Sequence, residues 1–326
     1  MQLSKILTIF FLLLLANISS AFGGLTEEET AAKARGTFLY KMLRYEEAVP
    51  FLDVPARAGD VESQYWMGNI QAIKDKHVSE PALYWFSLAA HQGDVASMIM
   101  ISNVNRKYCE FVSYCTPGIK SADEWRKDAL RVSQLKARGG DGVAMYDMYR
   151  LTDSLDWLLK SARMGFAKGQ FRLGVKYRQG GGFFLTPGRR KQASKKWILA
   201  AAELDYVPAI KDILRQGVEE QNISQRLYWT RRAVHAGDFE STANYAQWLY
   251  KPPGFLTDAP DLVKAYGYML LLDEAQLPRL KERPYYGYVE RHKILSEMTL
   301  EQIEEGKSFA EQWRRNNPPL VKYHAW

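Results

Sequence analysis

The sequence predicts an all-α protein, a right-handed α-solenoid of about six to seven antiparallel helix pairs with a capping C-terminal helix. Three observations predict it. A mostly aromatic position stands eight residues before a turn position in six copies: Phe51 and Gly59, Trp85 and Gly93, Val132 and Gly140, Trp157 and Gly165, Trp197 and Asp205, Trp229 and Gly237. Four residues past the turn every copy is small: Ser63, Ser97, Ala144, Gly169, Ala209 and Ser241. Eight past it every copy is apolar: Met67, Ile101, Met148, Leu173, Ile213 and Tyr245. A pattern that returns at fixed internal spacing marks a repeat architecture, and repeats override the two-domain expectation that 326 residues would otherwise raise.

Each position has a physical reason. An apolar residue eight before the turn, with Ala162 or Ala90 between, lies on the apolar stripe of a short helix. Gly59, Gly93, Gly140, Gly165 and Gly237 stand where that helix must stop in a left-handed turn, which glycine adopts at little cost. Asp60, Asp94, Asp141 and Asp238 follow and suit the N-cap of the next helix. The small and apolar positions four and eight residues on share one face of that helix. The small one lets the partner helix come close, so each copy is expected to be an antiparallel pair.

Gly165, Gly169, Leu173, Gly174, Tyr177 and Gly180 resemble the Sel1-like repeat, a relative of the tetratricopeptide repeat. Lys191, Gln192, Ala193, Trp197, Ala201 and Ala202 are similar to that repeat's next helix. The resemblance runs over roughly residues 45–273. It is strongest in the fourth copy, and the third and fifth have lost family residues at Val132, Asp205 and Leu214. It implies an α-solenoid that binds other proteins, and it implies no chemistry.

In chain order, residues 1–21 read as a cleavable export signal. Lys5 supplies the charged start, residues 6–16 the apolar run, and Ser19, Ser20 and Ala21 the small residues before the cut. The run is too short to span a bilayer comfortably. The mature chain is expected to be exported, and periplasmic if bacterial. Residues 22–44 form an N-terminal leading helix, with Thr26 as N-cap and Glu27, Glu28 and Glu29 in its first turn. Residues 45–273 form the solenoid, 274–315 the capping helices and 316–326 a tail.

The two cysteines, Cys109 and Cys115, lie in an insertion between the second and third copies. An oxidising compartment favours one local disulfide there. A metal site lacks nearby histidines, and the redox Cys-x-x-Cys spacing is absent. The glycine-rich loop at 179–191 has no Gly-Lys-Ser/Thr and so is no phosphate loop. It reads as an enlarged loop with an exposed pair, Phe183 and Phe184, followed by the basic run Arg189, Arg190, Lys191, Lys195 and Lys196. Tyr285, Tyr286 and Tyr288 lie beside Arg283, Arg291 and His292, a composition enriched at binding hot spots, although packing between terminal helices accounts for it equally. Thr299 and Gln302 form a capping-box signal, and Leu300, Ile303, Ala310 and Trp313 give the terminal helix one apolar stripe.

No catalytic, metal or cofactor site is expected. His91 and His235 each precede a turn glycine by two and are copies of one exposed position, and neither a His-Glu-x-x-His helix nor a Gly-x-Ser-x-Gly elbow occurs. The formal net charge of +7 suits an acidic partner or a lipid surface, while an exported destination argues against nucleic acid. The chain is therefore read as a non-catalytic protein-binding solenoid, with Arg189, Arg190, Lys191, Tyr285, Tyr286 and Tyr288 as partner-binding candidates. Its layout resembles the exported Sel1-repeat immunity proteins, which neutralise antibacterial effectors, including phospholipases, delivered by type VI secretion. An adaptor of envelope or quality-control enzymes shares that layout, and an envelope hydrolase with an unrecognised site is the alternative of a different class.

Overall fold

The computed structural model describes residues 24–104, 120–216, 223–252, 260–276 and 286–323, with the backbone alone at 276 and 286–291. The expected export signal, the pair Cys109 and Cys115, and Tyr285 lie outside the described residues. The chain divides into two compact units, Met1–Ala129 and Leu130–Trp326.

The first unit holds α1 (Glu27–Lys41), α2 (Tyr45–Arg57), α3 (Val61–Asp75), α4 (Glu80–His91), α5 (Val95–Ser102) and the start of α6 (Ala122–Arg138). From α1 to α5 each helix packs on the next. Thr26 and Glu29 cap α1 reciprocally, and Leu39 of α1 joins Ala48, Leu52, Ala56, Met67 and Ile70 in one core cluster. The leading helix is thus packed into the stack rather than standing outside it.

The second unit continues with α7 (Gly142–Thr152), α8 (Leu155–Arg163), α9 (Ala167–Arg178), α10 (Pro187–Glu203), α11 (Val207–Gln216), α12 (Ile223–His235), α13 (Phe239–Tyr250), α14 (Leu262–Gln276), α15 (Tyr286–Glu297) and α16 (Leu300–Asn316). Neighbours pack in chain order from α7 to α14, and α15 and α16 both pack on α14. Contacts limited to the next element in the chain are what an α-solenoid consists of. Six helix pairs flank the six turns, and α14 to α16 close the array.

The turns form as their residues dictate. Gly59, Gly93, Gly140, Gly165 and Gly237 have φ between 81° and 98°, and Asp205, in the glycine position of the fifth copy, has φ 57°. Asp60, Asp94, Asp141 and Asp238 each accept a backbone N–H from the first turn of the next helix. Phe166 stands at that position in the fourth copy, and α9 has no side-chain cap. The small positions Ser63, Ser97 and Ala209 are fully buried, as is apolar Leu173.

The same capping aspartate is not electrostatically the same in every copy. Burial acts to raise the Asp60 carboxyl, but hydrogen bonds from Ser63 and Lys33 outweigh it and hold the carboxyl below its ordinary range. At fully buried Asp238, desolvation outweighs the Ser241 hydrogen bonds and the attraction of Lys211, and the carboxyl is raised.

Gly165→Val is expected to lower stability by about 1–2 kcal/mol through the left-handed conformation alone, because no atom lies within 4 Å of where its Cβ would stand. Gly165→Asn, which tolerates that conformation better, should lose less. Thermal melting checks both, and a valine variant that melts like wild type would remove the turn assignment.

Four details differ from the sequence reading. Phe51 is 39% exposed and the core position passes to fully buried Leu52, so the stripe of α2 is turned by one residue. The Phe183–Phe184 pair is split: Phe183 is 90% exposed, while Phe184 packs edge-on against Tyr177 at 4.9 Å. Leu300 is 84% exposed, because it opens α16 on the solvent side, and Ala310 and Trp313 carry the buried stripe. Residues 317–323, read as part of a tail, dock on the sixth turn. Val321 donates its N–H to Gly237 O at 2.8 Å and accepts from Phe239 N at 3.0 Å, the Tyr323 hydroxyl donates to Ala236 O, and Leu320 and Val321 are buried.

Candidate functional site

The helices that follow the turns share positions, and three of them, α7, α9 and α11, enclose a cleft of about 270 Å3 within the second unit. On α9, Lys168, Phe171, Arg172, Val175 and Arg178 recur at intervals of three and four residues, so they form one stripe facing it. Tyr146 of α7 and Phe171, each 8% exposed, are its aromatic floor. Asp212 and Arg215 of α11 form the opposite wall.

The charges of the cleft are unevenly matched. Asp212, 7% exposed, accepts both terminal nitrogens of Arg178, at 2.8 and 3.1 Å, and the Gln216 amide at 2.7 Å. That bidentate pair is satisfied within itself. Lys168 is half-buried, with Nζ 5.6 Å from the centre of the Tyr146 ring, and neither it nor Arg172 makes an ion pair among the described residues. Desolvation, then repulsion from Arg150, holds the Lys168 ammonium below its ordinary range against the opposing pull of Asp147, with Arg172 adding the smallest repulsion. No acid of α9 can compensate, because the helix AKGQFRLGVKYR contains none. A recessed cluster of like charges is an electrostatic cost that an incoming anion would relieve.

The residues singled out in the sequence fall elsewhere. Arg189, Arg190 and Lys191 lie at the start of α10, where Thr186 caps the helix through Arg189 N. Arg190 lies over the Phe184 ring at 5.7 Å, while Arg189 and Lys191 are exposed. Three cations at the positive end of a helix dipole oppose it, but the structure does not bring them to the cleft lining. Tyr286 and Tyr288 lie on α15, where the backbone alone is described, and Tyr285 lies outside the described residues. His91 and His235 are exposed, as copies of one repeat position. The sequence reading missed Lys168, Arg172, Arg178 and Asp212. It also missed Gln64 and Gln170, five residues past the turns of the first and fourth copies, whose amides donate to Ala56 O and Ala162 O across the helix pair. A helix carrying four cations and no acid was the available signal.

No protein-family model matches the chain, and no curated protein matches it. Among solved structures it is similar to a protective antigen of uropathogenic Escherichia coli described as having an SLR fold, at 15% identity and TM-score 0.32, covering 89% of this chain and 79% of that one. It is also similar to a Sel1 repeat protein from Oxalobacter formigenes, at 18% identity and TM-score 0.40, covering 89% of this chain and 87% of that one. The left-handed turns, aspartate caps and small inter-helix positions recurring at one spacing make the chain, on its own geometry, an all-α solenoid of antiparallel helix pairs.

Proposed function

We propose that the protein is an exported, non-catalytic scaffold that binds another protein through the face carrying the α7–α9–α11 cleft. The observation that carries this reading is the pair of half-buried cations lining the cleft, Lys168 beside the Tyr146 ring and Arg172, neither in an ion pair among the described residues. Unpaired charge beside buried aromatic residues is a poor arrangement for stability and a good one for recognition. Export is supported by the signal-like pattern of residues 1–21. The finer reading is an immunity protein that neutralises an antibacterial type VI secretion effector such as a phospholipase, and it is supported by the layout of a leader followed by divergent repeats.

The test is to purify the protein with the products of its neighbouring genes. A stable complex of fixed stoichiometry is expected on size-exclusion chromatography. If the partner is an effector enzyme, equimolar addition of the scaffold should abolish that enzyme's activity. A preparation that binds none of those products and instead hydrolyses an envelope substrate would overturn the proposal.

A further inference from the structure

Building on the protein-binding reading above, we infer that the α7–α9–α11 cleft is a carboxylate site, which takes a glutamate or aspartate side chain from an acidic segment of the partner onto Lys168 and Arg172. The segment's adjoining apolar side chain would lie against the edge of the Tyr146 and Phe171 floor.

Four features of the cleft favour this occupant. Lys168 and Arg172 stand one helical turn apart on α9 and neither makes an ion pair among the described residues, so one carboxylate can serve both. They are half-buried, and charge-assisted hydrogen bonds gain strength where water is partly excluded. The adjoining wall already holds a carboxylate on an arginine: Asp212 receives Arg178 through both terminal nitrogens. The volume of about 270 Å3 is enough to admit a side chain.

The other anionic classes fit less well. A phosphate group carries close to two charges, and the Asp212 carboxylate in the wall opposes the second. Nucleic acid needs open aromatic faces on which bases can stack, whereas Tyr146 and Phe171 are buried to more than nine-tenths. A lipid surface is flat, and these cations are recessed between helices.

The probe is a short fluorescein-labelled peptide rich in glutamate with one leucine, titrated into the full chain and read by fluorescence anisotropy. Lys168→Glu with Arg172→Glu should weaken its binding by about tenfold to a hundredfold, the range expected for losing charged hydrogen bonds. Lys41→Glu with Lys74→Glu changes the net charge equally but lies on exposed helix surface outside the cleft, and it should leave binding within about twofold. Lys168→Met with Arg172→Gln should give a smaller loss than double reversal, and melting curves of all three variants establish that they fold. The inference is overturned if the peptide does not bind, if the two charge reversals weaken it equally, or if phosphoserine peptide, inorganic phosphate, phosphatidylglycerol vesicles or single-stranded DNA competes better than unlabelled glutamate peptide. A cleft variant that still captures the protein partner at wild-type affinity would refute the carboxylate site and leave the scaffold reading standing. Peptide binding that depends on Lys168 and Arg172, without any protein partner, would do the reverse.

Discussion

Gly174→Val is expected to lower the stability of the second unit by about 3 kcal/mol, at the upper end of what overpacking usually costs. A Cβ at this position would stand 2.6 Å from Ile198 Cγ1, 3.0 Å from Ser194 O and 3.1 Å from Ile198 N. Two of those three atoms are backbone, so no change of rotamer can clear the space and α9 and α10 must move apart. The movement also strains the hydrogen bond that the Ser194 hydroxyl donates to Gly174 O at 2.7 Å. Shortening the neighbour should therefore fail to rescue, and Gly174→Val with Ile198→Ala is expected to melt no higher than Gly174→Val alone. Recovery in the double variant would show that the contact is a side-chain clash. Because α9 also carries Lys168 and Arg172, the displacement should disturb the proposed carboxylate site as well.

Deleting residues 318–326 is expected to produce the second large effect, a loss of about 2–4 kcal/mol localised at α12 and α13. Burial of Leu320 and Val321 contributes roughly 1.5–3 kcal/mol each, and the entropy of ordering the segment offsets part of it. Truncation also frees the backbone groups of Gly237 and Phe239, which Val321 now pairs. Hydrogen exchange should accelerate in the first turn of α13 while α9 keeps its protection. Unchanged exchange at Phe239 and Thr242 would mean that the docked segment contributes nothing to this end of the array.

The repeat was legible because each of its positions answers to a local demand. Gly165 is required by backbone conformation, Asp60 by unsatisfied helix N–H groups, and Ser63 and Ala209 by the approach of one helix to its partner. None of these depends on knowing which distant residue lies opposite. The cleft depends on exactly such knowledge, since Lys168 and Arg172 matter only because Tyr146 comes from α7 and Asp212 from α11. In the sequence they resemble any solvated helix charges. The basic run at Arg189 to Lys191 stands out because it is contiguous, and it lies at the start of α10 outside the cleft lining. Docking of residues 317–323 was illegible for a related reason. Nothing local announces that the chain beyond α16 pairs with a turn some eighty residues earlier.

The like-charged pair in the cleft sets two kinds of selection against each other. Replacing Lys168 by an uncharged residue of similar length removes a desolvated ammonium and its repulsion with Arg150 and Arg172, which should outweigh the lost pull of Asp147 and the Tyr146 ring contact, so the substitution should cost the fold nothing and even favour it. A directed-evolution campaign scored on heat resistance alone would discard these cations early, and so would a consensus redesign that averages the copies. The resulting proteins would be sturdier and would have lost the cations on which the proposed carboxylate site depends. Sites where the natural residue is worse for stability than its simplest neutral replacement are therefore the ones to protect when this array is engineered.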